Sequence, residues 1–183
     1  DVAGARARRA AAAPVFVAST AVALAEYLES GPPPLSAGSL LMVTGGFKGR
    51  VREVSKKRLM AECRERLGVP RGWYVGEYGM TELSSKFYDT TLCDRIKKIR
   101  RKPFKAGPSW TRTLVIDPKT GREAKDGQAG ILRHFDLANR GSVVAVQTED
   151  LGRQMGGGFE LLGRASGAEL RGCSLSYEEF LRQ

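Results

Sequence analysis

Three short apolar runs, Pro14-Val15-Phe16-Val17, Leu40-Leu41-Met42-Val43 and Trp73-Tyr74-Val75, are separated by stretches that carry helix start and stop signals. Strand candidates that alternate with helices admit few arrangements, and parallel βαβ units are the simplest. Ser19 or Thr20 stands where it can cap a helix through Leu28, which Gly31-Pro32-Pro33-Pro34 then ends. Ser55 can cap a second helix. On it Leu59, Cys63 and Leu67 recur at i, i+4 and i+8 on one face, and Gly68 is the stop. Residues 1–13, rich in alanine and arginine, read as helical.

Beyond Tyr88 the pattern changes. Arg95 to Lys105 holds seven Lys/Arg in eleven residues, and Pro103, Gly107 and Pro108 break the run. Short strands and turns follow: Thr113–Ile116, the turn Asp117–Gly121, Ile131–Phe135, Val143–Val146 and Phe159–Leu162, with Met155–Gly158 as a flexible turn. That half reads as antiparallel β, a small barrel packed on the α/β part. The fold class expected is α/β, a parallel βαβ layer followed by a small antiparallel β subdomain. Residues 1–105 would form a nucleotide-edge subdomain, and 106–183 a β-rich one with a hinge-like C-terminus.

Chemistry concentrates where the third strand runs out, at Gly76-Glu77-Tyr78-Gly79-Met80-Thr81-Glu82-Leu83-Ser84-Ser85. A strand ending in this way suits the carboxyl edge of a parallel sheet, where open α/β folds hold ligands. The glycines let backbone approach a planar or phosphorylated ligand. Thr81 offers a hydroxyl for a phosphate oxygen, and Glu82 a hard oxygen for Mg²⁺. Tyr78 is either a stacking platform for adenine or a core residue. Gly45 and Gly46, after the second strand, are either a nucleotide- or acyl-facing edge or an ordinary turn.

The formal net charge of +10 over 183 residues, with a pI near 9.9, invites an anionic partner: nucleotide, phosphate, acyl carrier or nucleic acid. Nucleic acid is the weaker choice. Apart from Phe104 near its end the 95–105 run lacks interleaved aromatics for stacking, no reader motif accompanies it, and a solvated loop accounts for it. Cys63, Cys93 and Cys173 are far apart and odd in number, which fits a reducing cytoplasm. No apolar run approaches the roughly 20 residues of a membrane span. Arg6–Arg9 followed by Ala10–Ala25 imitates a secretory signal, but Pro14, Ser19 and Thr20 interrupt it. His134, the one histidine, is read as structural.

Tyr78-Gly79-Met80-Thr81-Glu82 resembles the Tyr-Gly-x-Thr-Glu motif of the adenylate-forming superfamily, which includes acyl-CoA synthetases and peptide-synthetase adenylation domains. Taken with Thr44-Gly45-Gly46-Phe47-Lys48-Gly49-Arg50 and Phe87-Tyr88-Asp89, it is similar to the acyl-protein synthetases, the fatty-acid-activating ligases of bacterial bioluminescence. The likeness continues in Thr148-Glu149-Asp150-Leu151-Gly152-Arg153, where Glu149 replaces the family's glycine. It ends in Leu162-Gly163-Arg164 with Leu170-Arg171-Gly172, where Ser166 replaces an Asp or Lys.

The resemblance implies ATP and Mg²⁺ as cofactors and a fatty acid or other carboxylate as substrate. The acyl group would pass through an acyl-adenylate to a protein thiol. It implies Gly45, Gly46, Tyr78, Gly79, Met80, Thr81, Asp150 and Arg164 as nucleotide-binding residues, with Asp150 on the ribose hydroxyls. Glu82 would be the metal ligand, and Thr81, Glu82 and Cys173 would be catalytic. Cys173 stands near the C-terminus, where this family carries its acyl-accepting cysteine, and an adjacent Arg171 would favour the thiolate. An acyl-reductase or acyl-carrier protein is the implied partner. Spanning roughly residues 14–180, the likeness implies the C-terminal half of an enzyme whose N-terminal half would be a further partner. This piece alone would then bind nucleotide weakly without turning over. The reading from a different class is a non-catalytic nucleotide- or nucleic-acid-binding basic module.

Overall fold

A computed structural model describes residues 13–46 and 55–165. Thr20 closes the first strand and opens the first helix. Its extended backbone suits a cap, and its Oγ1 accepts the Ala23 N–H at 3.2 Å. Strands β1 (Phe16–Thr20), β2 (Leu40–Thr44) and β3 (Tyr74–Tyr78) are parallel, in register from Phe16↔Leu40 to Thr20↔Thr44 and from Leu41↔Tyr74 to Val43↔Gly76. Helices α1 (Ala21–Glu29) and α2 (Lys56–Leu67) make the crossovers. As the spacing predicts, Ser55 accepts from the Arg58 N–H at 3.2 Å, and Gly68 ends α2 at φ 70°. Leu24, Leu28, Leu41, Leu59, Cys63 and Leu67 form the core of this layer. Each buried leucine contributes about 2 kcal/mol. Burial pushes the Cys63 thiol up to about 11, so it serves as core and not as a nucleophile.

Two compact units divide the chain. The first takes in the described residues up to Tyr78 together with Asp89–Pro103; the second takes in Gly79–Tyr88 and the described residues from Phe104. Within the first unit Trp73 is not in a strand. Arg71–Trp73 is a 3₁₀ turn, and the Arg95 guanidinium lies 5.5 Å from the Trp73 ring centroid. Helix α3 (Thr91–Ile96) begins the basic segment. Phe87–Asp89 form the short strand β4.

The second unit is antiparallel. It comprises β5 (Lys105–Ala106), β6 (Thr111–Ile116), β7 (Ala129–Asp136), β8 (Ala145–Met155) and β9 (Gly158–Arg164), ordered β5-β9-β8-β7-β6. Strand β6 is a free end of the order, so the sheet is open, where the sequence suggested a small barrel. His134 is fully buried against Phe87 and Phe159, at ring centroid distances of 4.9 and 5.3 Å. Its Nδ1 shares a hydrogen bond with Thr113 Oγ1 at 2.9 Å, which gives it the structural role expected. A second correction concerns β8. It starts at Ala145, beyond the exposed Val143 and Val144 with which the expected strand began, and runs for 11 residues, so Thr148–Arg153 lies within it. Gly152 is required at the register shift there. A Cβ would meet Leu132 Cδ2 at 2.5 Å and the Glu160 carbonyl at 2.8 Å.

Candidate nucleotide-binding site

The expected motif begins inside β3. The Gly76 N–H donates to Asp89 Oδ2 at 2.9 Å, and Lys56 Nζ reaches the same oxygen at 3.0 Å. Glu77 Oε1 accepts from Thr44 Oγ1 at 3.1 Å, which ties the carboxyl ends of β2 and β3 together. Gly45 and Gly46 follow at that edge. Gly45 turns at φ 68°, and among the described residues, chain neighbours aside, no atom lies within 4 Å of where a Cβ would stand on Gly45 or Gly46. Tyr78 is 8% exposed, so of the two readings open to it the core one describes this structure. Lys48 falls outside the described residues, as does Cys173.

After Tyr78 the chain makes a tight turn. The Leu83 N–H donates to the Met80 carbonyl at 3.3 Å, leaving Thr81 and Glu82 at the apex with exposed side chains. The turn rests on a polar clamp that sequence reasoning did not find. Asp136, 1% exposed at the end of β7, accepts the Ser85 N–H at 2.7 Å, the Ser85 hydroxyl at 2.9 Å and the Ala138 N–H at 3.1 Å. Trp110 Nε1 donates to Ser85 Oγ at 2.9 Å. Asn139 Nδ2 donates to the Glu82 carbonyl at 2.7 Å and to the Val143 carbonyl at 2.8 Å, and its Oδ1 accepts from Ser84 at 3.0 Å.

Burial alone would raise the Asp136 pKa, but the hydrogen bonds from Ser85 and Ala138 outweigh it and hold the carboxyl below its ordinary range. The anchor is therefore a carboxylate at neutral pH. Its available signal was an Asp-x-x-Asn pattern closing an alternating strand. Lys86 was also missed. Its side chain crosses Gly79, where a Cβ would meet Lys86 Cδ and lie 2.8 Å from Nζ, and Nζ stands 3.5 Å from the Met80 carbonyl. Glycine at 79 thus lets a lysine lie across the backbone, where the sequence reading had reserved the space for a ligand.

Asp150 and Arg164 are brought together. They face each other across β8 and β9, with Arg164 Nε 3.5 Å from Asp150 Oδ1 and Arg164 Nη2 3.1 Å from Glu149 Oε2. Glu149, where the resembled block has glycine, supplies one of these two carboxylate contacts. The Asp150 N–H is fixed by Thr148 Oγ1 at 3.0 Å, and that hydroxyl donates to the Leu132 carbonyl at 2.9 Å. Glu82 and Asp150 are anchored at different places: Glu82 through Asn139 at the β7–β8 connection, Asp150 within β8.

A cleft of ≈ 440 Å³ in the second unit is lined by Phe87, Thr111, Arg112, Glu123 and Gln154 and takes in none of the expected site residues. Among the described residues no three His, Cys, Asp or Glu cluster as a metal site. A single outward carboxylate still fits Mg²⁺, which commonly takes one or two protein carboxylates and completes its shell with phosphate and water. No helix of the described residues is long and apolar enough to cross a membrane.

No family model and no curated protein matches the chain. Solved structures do. The ATP-bound MatB of Rhodopseudomonas palustris matches with a TM-score of 0.59 at 18% identity, over 88% of this chain and 33% of that one. The O-succinylbenzoate coenzyme A synthetase MenE of Bacillus subtilis, in complex with AMP, matches with a TM-score of 0.53 at 20% identity, over 83% and 31%. McyG A-PCP with phenylalanyl-adenylate gives 0.54 at 16% identity, over 83% and 30%. The fold is one found in adenylate-forming enzymes. At these identities the likeness is one of fold, and this chain spans about a third of the length of those adenylate-forming structures.

Proposed function

We propose that the chain is the nucleotide-binding part of an ATP-dependent ligase, of the acyl-protein synthetase kind, that activates a fatty acid and hands it to a protein thiol. The observation that supports this most is the position of Tyr78-Gly79-Met80-Thr81-Glu82. It leaves the carboxyl end of a parallel strand, with Thr81 and Glu82 outward, in a fold shared with ATP- and AMP-bound enzymes.

In this reading a carboxylate oxygen of the acid attacks the α-phosphorus of ATP, the bond to the β-phosphate breaks, and pyrophosphate leaves. A thiolate then attacks the acyl carbon, and AMP departs with the bonding electron pair. Two anions must be brought together, and positive charge and donors must surround the phosphorus. Lys86 and Arg164 supply cations and Thr81 a hydroxyl. Asp150 accepts the ribose hydroxyls, with the nucleotide displacing part of its contact with Arg164. Gly45 and Gly46 leave space at the strand edge for nucleotide or acyl chain. Glu82 would hold Mg²⁺, which supplies charge neutralisation on the phosphates. Cys173 is the proposed acceptor, on sequence alone.

Calorimetric titration of this chain with MgATP tests the reading. Weak saturable binding is expected, reduced about tenfold or more in both Glu82→Ala and Asp150→Ala, without ATP–pyrophosphate exchange by the piece alone. Binding that neither substitution changes would refute it. The nucleic-acid reading finds no comparable support. Arg101 is committed to Asp94, Lys105 is buried in β5, and the 95–105 segment presents no stacking platform.

A further inference from the structure

The basic segment after α3 has a fixed shape, and that shape is informative. Asp94, 5% exposed, accepts Thr90 Oγ1 at 2.6 Å and is gripped by Arg101 through Nε at 3.1 Å and Nη2 at 2.7 Å. The hydrogen bond from Arg101 is the main reason the Asp94 carboxyl stays below its ordinary range, so the clasp is ionised at neutral pH. Backbone bonds complete the turn: Lys97 N–H to Cys93 O at 2.9 Å, Lys98 N–H to Arg95 O at 3.1 Å and Ile99 N–H to Asp94 O at 2.8 Å. Lys98 takes a left-handed φ of 54° to make this possible. The consequence is a knuckle that holds Ile96, 71% exposed, and Ile99, 42% exposed, outward among the exposed Lys97, Lys98 and Arg100. No acidic residue occurs from Arg95 to Lys102.

A solvated charge run has no use for a buried ionic clasp, and still less for two isoleucines held in water. A DNA or RNA backbone would use the cations but not the isoleucines, and it would call for aromatics that are absent here. An anionic membrane surface would call for a broad apolar helical face, and α3 has only six residues. An apolar centre with a charged rim is how protein interfaces are built.

We infer that the Ile96–Arg100 knuckle is a docking surface for an acidic protein whose carboxylates surround an apolar spot. Identifying that protein as an acyl carrier, the partner of an acyl-activating ligase whose own Cys173 is the first acceptor, rests on the proposed function. The complementarity of charge and shape does not, because the knuckle lies outside the nucleotide-binding residues.

The test is binding of the purified chain to an acyl-carrier protein in the absence of nucleotide, by surface plasmon resonance, with a short DNA duplex and phosphatidylserine vesicles in parallel. Saturable carrier binding that weakens as salt rises is expected. It should weaken by about tenfold or more both in Lys97→Glu/Lys98→Glu/Arg100→Glu and in Ile96→Ser/Ile99→Ser. MgATP titrations of the same variants should be unchanged. Three results would overturn the inference: no carrier binding, carrier binding indifferent to the isoleucine substitutions, or tighter binding to duplex or vesicles than to the carrier. Carrier binding without any MgATP binding would leave the knuckle standing and remove the proposed function instead.

Discussion

The turn at Thr81–Glu82 and the pair Asp150–Arg164 present polar residues under opposite conditions. At the turn the backbone is clamped from below by Asp136, Ser85, Trp110 and Asn139, and the side chains at the apex face outward. At β8–β9 the side chains engage each other, with Arg164 divided between Glu149 and Asp150. A clamped backbone with outward side chains is preorganised for a ligand, since little order remains to be imposed on binding. A mutually paired set must first give up contacts. Under the proposed function the turn would contribute rigidity to nucleotide binding, and the pair an exchange of partners.

Removing the clamp should have the largest effect. Asp136→Ala leaves the Ser85 N–H, the Ser85 hydroxyl and the Ala138 N–H without their acceptor in a buried site and should cost about 4 kcal/mol in urea unfolding at pH 7. Asp150→Ala should cost under about 1 kcal/mol, because its ion pair is partly solvated. Equal costs would erase the contrast between the two regions.

His134 offers the next largest effect. Burial lowers its pKa from 6.5 to about 4, so the folded state holds it neutral where the unfolded chain would protonate it. Stability from this source is fully present above pH 6.5 and is lost as pH falls towards 4, by about 3 kcal/mol. Unfolding free energies between pH 5 and 6.5 should slope upward with pH, and His134→Phe should flatten that slope. An unchanged slope would place the histidine in contact with water. The smallest change is expected from Glu149→Gly. It should alter stability by no more than about 0.5 kcal/mol, since the carboxylate is exposed, yet tighten MgATP binding by releasing Arg164. Weaker binding would mean that Glu149 holds Arg164 in its working place.

The parallel layer was legible because its signals are local. Thr20 and Ser55 cap, Gly68 stops, and Leu59, Cys63 and Leu67 mark a face; each lies within a few residues of the structure it specifies. The clamp was not legible, because Ser85 meets Asp136 and Glu82 meets Asn139 across more than fifty residues, and nothing near either partner announces the other. Trp73 misled for a related reason. Its apolar character suited a strand, but Pro70 ahead of it starts a 3₁₀ turn, and the strand begins one residue later. Register also hid the form of the Thr148–Arg153 block. Nothing in the residues around Gly152 announces that it makes room for Leu132 and the Glu160 carbonyl inside a long strand.

Central to the proposed function is that one nucleotide is held by both regions. Amide chemical shifts of the isotope-labelled chain, followed during titration with MgATP, test that most directly. The resonances of Gly79–Ser85 and of Thr148–Arg153 should move together along a single binding curve. Movement confined to one of the two, or two curves with different midpoints, would contradict the account.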